Sequence, residues 1–149
     1  MKSESDAITD DEWPLRRVHR DRFRIGKMPF ISPGAFEPRL PGKSHDPDSD
    51  GISFYRESCL ADPALCLLSV AAEKRSEWGI VRILAAEIRR LGLSVNAAHD
   101  EQIPGRVVIP ELSASAFVVN RDGCKKLMHD MAVAASAEIN VVSKPADPA

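Results

Sequence analysis

The chain has no apolar run approaching the roughly 20 residues that a membrane-spanning helix requires, so no membrane association is expected. Its three cysteines, Cys59, Cys66 and Cys124, are odd in number and irregularly spaced, which excludes a disulfide framework. Buried thiols in a reducing cytoplasm are the simpler expectation, with Cys59 the more exposed of them. Aromatic residues make up 5% of the chain. Only Phe23 and Phe30 lie near its most basic stretch, too few for a platform that stacks single-stranded bases. Neither sign of charge dominates. A net charge of -2 excludes a generally basic nucleic-acid coat protein and leaves room for a local basic patch. The first residues, MKSESDAITDDE, are polar and acidic rather than basic and then apolar, so no signal peptide is expected. P-loop, GxSxG and dinucleotide GxGxxG patterns are all missing, and no cofactor is expected.

What is present fits one α+β domain. At 149 residues the chain is long enough to bury most of its apolar surface without metals or disulfides. Residues 1–12 read as a disordered acidic tail, and 144–149 as a second one. The body, 13–143, is expected to form a small mixed or mostly antiparallel sheet with two or three helices.

Pattern places the elements. Leu15–His19 suits a short strand. Alternation over Ile52–Arg56 suits a strand with one buried face. Asp62 followed by Pro63 is the clearest helix start, because aspartate accepts from free N–H groups and proline at the first position loses none. That helix is predicted to reach about Lys74. Trp78–Ile83 reads as a strand, and Leu84, Ile88 and Leu91 share a helical stripe stopped by Gly92. Leu93–Ala97, Arg106–Ile109 and Ala116–Val119 are strand candidates. Asn120 or Asp122 is predicted to cap a last helix with Cys124, Leu127, Met128 and Met131 on its buried stripe. Residues 139–142 add a final edge strand.

The sharpest motif is Asp46-Pro-Asp48-Ser-Asp50-Gly51 followed by Glu57, which satisfies D-x-D-x-D-G-x5-E. It resembles an EF-hand calcium loop, where such carboxylates surround one Ca²⁺ and the glycine permits the sharp turn. The context departs from that family. Pro38, Pro41 and Gly42 deny an entering helix, Pro47 sits inside the loop, and a strand at Ile52–Arg56 carries Glu57 away. An acidic surface turn is the simpler reading.

Arg16, Arg17, Arg20, Arg22, Arg24 and Lys27 form a basic stretch over 16–27 able to bind phosphates, including those of nucleic acid. His19, Tyr55 and Glu111 resemble in order the His…Tyr…Glu set of ADP-ribosyltransferases. The resemblance implies residues that grip NAD and assist attack at the nicotinamide ribose. The glycine that follows the histidine region in that family is missing here.

The motifs Arg16-Arg-Val-His19, Ser32-Pro-Gly-Ala-Phe36 and Asp50-Gly-Ile-Ser-Phe-Tyr-Arg56 resemble those of a group of small bacterial proteins of unassigned function. Trp78-Gly-Ile-Val-Arg82, Leu91-Gly-Leu-Ser-Val95 and Arg106-Val-Val-Ile-Pro110 extend the resemblance over about residues 15–112. It implies a bacterial, cytoplasmic origin and supplies no activity.

The leading functional expectation is a non-enzymatic binding or accessory protein that acts through a protein partner. Its surface is expected in the proline-punctuated segment Phe30–Asp50 and the basic stretch before it. An ADP-ribosyltransferase-like enzyme acting on NAD or nucleic acid is the alternative. A lone calcium-binding loop protein is a further one.

Overall fold

A computed structural model describes residues 1–24, 30–41, 47–137, 141–143 and 145. Among the described residues, six strands form one antiparallel sheet: β1 (Pro14–His19), β4 (Ile52–Arg56), β5 (Trp78–Arg82), β6 (Asn96–Ala97), β7 (Arg106–Ile109) and β8 (Val141–Ser143). Their order is β6-β7-β4-β1-β5-β8, and β2 (Phe23–Arg24) with β3 (Phe30–Ile31) makes a separate ribbon. Among the described residues, three α-helices complete the frame: α1 (Ala85–Arg90), α2 (Ala114–Val119) and α3 (Arg121–Ala137). The architecture is α+β, and every described strand pairing is antiparallel.

Period-2 alternation sends side chains to both faces of the sheet. Val18, Ile52, Phe54, Val81 and Val107 enter the larger core, with Ile88 of α1, Phe117 of α2 and Met128 and Met131 of α3. Leu15, Tyr55 and Ile80 enter a smaller core on the other side, closed by Leu60, Cys66 and Ile103. The expectation of one buried face for Ile52–Arg56 is therefore corrected: Ile52, Phe54, Tyr55 and Arg56 are all buried.

The helix expected from Asp62 to about Lys74 is two 3-10 turns, Pro63–Leu67 and Ala72–Glu77. Its start is as read, since the Asp62 carboxylate accepts from the Ala64 N–H at 2.9 Å. Its continuation is diverted by arginines. Arg17 Nη1 donates to the Cys66 carbonyl at 3.2 Å, and Arg75 donates to the Val70 and Leu68 carbonyls at 2.9 and 3.3 Å. Those oxygens are the acceptors a continuing α-helix would use.

Ala116–Val119, expected as a strand, lies in α2. Ser113 caps it by accepting from the Ala116 N–H at 3.1 Å. Ala114 and Phe117 are buried while Val118 and Val119 are exposed, a helical spacing that overrides the β preference of valine. Asn120, rather than Asp122, caps α3, accepting from the Gly123 N–H at 3.1 Å. The strand expected over Leu93–Ala97 shortens to β6.

The acidic segment 1–12 is folded, not a free tail. Glu12 is buried, and the segment wraps the guanidinium of Arg56, which donates to the carbonyls of Asp6 and Ala7 at 2.8 and 3.3 Å. A buried arginine needs acceptors for its N–H groups, and this acidic segment supplies them. The same segment caps α1. That helix has no side-chain cap, and its Ala85 and Ala86 N–H groups donate to the carbonyls of Glu12 and Asp10 at 2.9 and 3.1 Å. Of the expected tail 144–149, only Pro145 is among the described residues.

Candidate functional site

The acidic loop does not gather its carboxylates. Asp46 lies outside the described residues. Asp48 is buried and accepts from the Arg39 backbone N–H at 2.7 Å. Asp50 faces Arg106 at 3.3 Å. Glu57 faces Arg82 at 3.5 Å, beyond the far end of β4 and roughly 20 Å from Gly51 at the usual strand rise. Gly51 does take the positive φ, 131°, that the motif asks for. Its role there is structural, because a Cβ would stand 2.3 Å from the Ile109 carbonyl oxygen. Among the described residues, no three His, Cys, Asp or Glu side chains are placed to hold a metal. Asp48, Asp50 and Glu57, the described members of the calcium-loop alternative, are thus held by separate partners.

His19, Tyr55 and Glu111 are not brought together. Tyr55 pairs in register with Leu15, so His19 lies roughly 13 Å further along β1 at the usual strand rise. Each has its own partner. His19 Nδ1 accepts from the Asp21 N–H at 3.2 Å and its ring meets Trp78 edge-on. Tyr55 donates to Asp100 at 3.1 Å under the Arg17 guanidinium, and burial, with that acid beside it, pushes its phenol up. Glu111 accepts from the Ser94 N–H and hydroxyl at 2.8 and 2.7 Å. Burial alone would raise the Glu111 carboxyl, and the Ser94 bonds outweigh it to hold it below the usual range.

The basic stretch is dispersed. Arg16 and Arg17 alternate across β1. Arg16 donates to the Ala35 and Ser53 carbonyls, both bonds at 3.1 Å to Ala35 and one at 2.8 Å to Ser53. Arg17 donates to the Cys66 carbonyl and to the Ser69 hydroxyl. Arg20 pairs with Glu77 at 3.4 Å, and Arg22 is exposed. The side chain of Arg24, and Lys27 altogether, lie outside the description. The segment Phe30–Asp50, expected as a surface, divides where it is described: Ile31, Ala35 and Phe36 are core, with Phe36 stacked on Phe54 at 6.4 Å, while Glu37, Arg39, Leu40, Ser49 and Asp50 are exposed. Cys59, expected to be exposed, is buried like the other two thiols. Burial pushes the Cys66 thiol up to about 11, an inert thiol rather than a nucleophile.

An open concavity lies elsewhere. A groove of about 680 Å³ runs between the N-terminal segment, the end of β5, α1 and α3. Trp13 forms one wall. Its neighbours are held in place because Glu12 and Asp10 cap α1, and its own carbonyl accepts from the Glu57 N–H at 3.3 Å. The Arg82 guanidinium lies over the indole at 4.4 Å. Ile83, Leu84 and Leu91 continue the apolar lining. The opposite wall is α3. Its Cys124, Met128 and Met131 stripe faces the core, which turns the adjacent stripe of His129 and Val133 into the groove. Val133 is 54% exposed, one of few large apolar side chains left so.

Charges stand along the rim. Arg90 grips Glu87 through bonds of 2.9 and 2.6 Å. Asp130 accepts from Lys126 at 2.8 Å. Arg82 and Glu57, each about one-third exposed, approach to 3.5 Å.

Comparison with protein-family models, curated proteins and solved structures finds no match to the chain. Geometry therefore carries the reading of the site. Sequence patterning did not point to this groove. Trp13 marks only the start of the ordered body in the sequence, and Leu84 and Leu91 read simply as a helical stripe. Val133 falls in the last helix just off its buried stripe, the one local signal of an apolar residue without a core to enter.

Proposed function

We propose that the chain is a small, non-enzymatic accessory protein that acts by docking a segment of a protein partner in the Trp13–Val133 groove. The observation that carries this reading is the arrangement of that groove: an apolar lining from three parts of the chain, an aromatic anchor under an arginine, and a charged rim. Tryptophan and arginine are the side chains most often found at the energetic centre of protein interfaces, and a helix-lined apolar trough suits a peptide's apolar face. Three buried, unpaired thiols support a reducing, cytoplasmic setting. Among the described residues no helix is long and apolar enough to cross a membrane.

A photo-crosslinking amino acid placed at position 133 tests the reading, with position 119 as an equally accessible control, since Val119 is 86% exposed. The expected result is a discrete protein adduct at 133 that disappears when Trp13→Ala is added. No adduct at 133, or the same adducts from 119, overturns the assignment of the groove.

A further inference from the structure

We infer that the docked segment carries a carboxylate beside its apolar anchor, and that this carboxylate sits on the guanidinium of Arg82. The inference rests on the groove being the docking site and goes on to name the chemistry of what it receives.

The charges around the groove differ in how fully they are satisfied. Glu87 holds Arg90 at 2.6 Å and Asp130 holds Lys126 at 2.8 Å, the range of charge-assisted hydrogen bonds. Neither acid calls for a cation from outside. Arg82 is different. Its nearest acid, Glu57, stands at 3.5 Å, an ion pair longer than that range. None of its five N–H donors finds a hydrogen-bond acceptor among the described residues. Trp13 beneath it holds the planar fork at 4.4 Å, so the donors are oriented before any ligand arrives. The Trp13 indole N–H and the exposed His129 ring, on the two walls, also have no hydrogen-bond partner among the described residues.

A planar guanidinium so held matches a carboxylate, which accepts two parallel N–H bonds. A phosphate dianion fits less well. The second cation it would need, Arg90, is occupied by Glu87, and Glu87 and Asp130 on the same lining would repel the extra charge. An apolar side chain next to the acid has its place against Trp13, Leu84 and Val133. The ligand is thus an acidic residue adjoining a large apolar one on a partner polypeptide.

Selection of random-sequence displayed peptides on the full-length chain tests this, with the recovered pool measured again on Arg82→Gln, Arg82→Lys and Val133→Asp. Circular dichroism checks that each variant is folded. The expected pool is enriched in Asp or Glu adjoining Leu, Ile, Phe or Trp. It loses about tenfold or more in affinity on Arg82→Gln, the scale of one charged hydrogen bond. It loses less on Arg82→Lys, which keeps the charge without the fork, and most of its binding on Val133→Asp. A pool that depends on Val133 but is not acidic and ignores both Arg82 variants overturns the carboxylate and leaves the docking groove standing. A pool indifferent to Val133→Asp removes both. If Arg82→Gln does not fold, the residue composition of the pool and its response to Arg82→Lys still decide.

Discussion

Arg56 and Glu12 form a buried, two-bonded ion pair, with Arg56 Nε and Nη2 donating to the two carboxylate oxygens at 2.7 and 2.9 Å. The side chains are 1% and 3% exposed. The remaining lone pairs of Glu12 are taken by the Ser58 hydroxyl at 2.6 Å and the Thr9 N–H at 2.8 Å. The pair joins the N-terminal segment to the end of β4, and through the capping of α1 it sets where Trp13 stands.

Removing Glu12 leaves Arg56 buried without this counter-charge. Loss of one member of a buried pair destabilises by about 3–5 kcal/mol. The backbone carbonyls around Arg56 soften that loss, so Glu12→Gln is expected near the lower end. Urea denaturation of wild type and Glu12→Gln measures the difference. A change under about 1 kcal/mol, the level of an exposed pair, would show that the pair is not buried in solution.

The same pair makes stability acid-sensitive in a defined window. Burial by itself raises the Glu12 carboxyl, but the bonds from Arg56, Ser58 and Thr9 outweigh it and bring it from 4.5 to about 2. A carboxyl depressed on folding contributes its full stabilisation above its unfolded value and loses it as pH falls through the folded one. The contribution, about 3 kcal/mol at 1.36 kcal/mol per unit, is therefore expected to fade between pH 4.5 and 2. Melting curves across that interval should fall steeply for wild type and less steeply for Glu12→Gln.

The acidic loop is expected to answer to arginine rather than to calcium. Asp48→Ala removes the buried carboxylate that accepts the partly buried Arg39 N–H and should destabilise by about 1–2 kcal/mol. Asp50→Ala removes only an exposed pair with Arg106 and should change stability by less than about 1 kcal/mol. Millimolar Ca²⁺ or EDTA is expected to shift none of the melting temperatures. A calcium-dependent rise in wild type that Asp50→Ala abolishes would sink this account.

Helical spacing in α2 sorts three consecutive apolar residues. Phe117→Ala is expected to cost about 3–5 kcal/mol as a core truncation, since Phe117 is 4% exposed. Val118→Thr and Val119→Thr, at exposed positions, should lie within about 0.5 kcal/mol of wild type. A strand would instead bury Phe117 and Val119 on one face. A large loss at Val119→Thr, measured by the same denaturation, would therefore contradict the helix.

Local chemistry made much of the frame readable. β1, β4, β5 and β7 fall on short apolar, β-branched or aromatic segments that read as strands, and the buried stripe of α3 follows from its spacing. Asp62 and Asn120 act as caps because short polar side chains can reach the free N–H groups next to them. These features depend on residues within a few positions of one another. The failures share a different cause. Segment 1–12 looks like a tail until Arg56, 44 positions beyond Glu12, supplies a buried charge for it to wrap. The long helix after Asp62 is plausible until Arg17, from another strand, takes the Cys66 carbonyl. The acidic motif spells a calcium loop, yet Arg39, Arg106 and Arg82 draw its carboxylates apart.

The sequence by itself determined an α+β chain with a sheet-forming body and a capped, amphipathic last helix, because period and capping are written in neighbouring residues. Only the tertiary structure decided which charges are buried together and where a concave surface forms. Trp13, Arg82 and Val133 lie far apart along the chain, and a groove exists only when long-range packing brings its walls to one place.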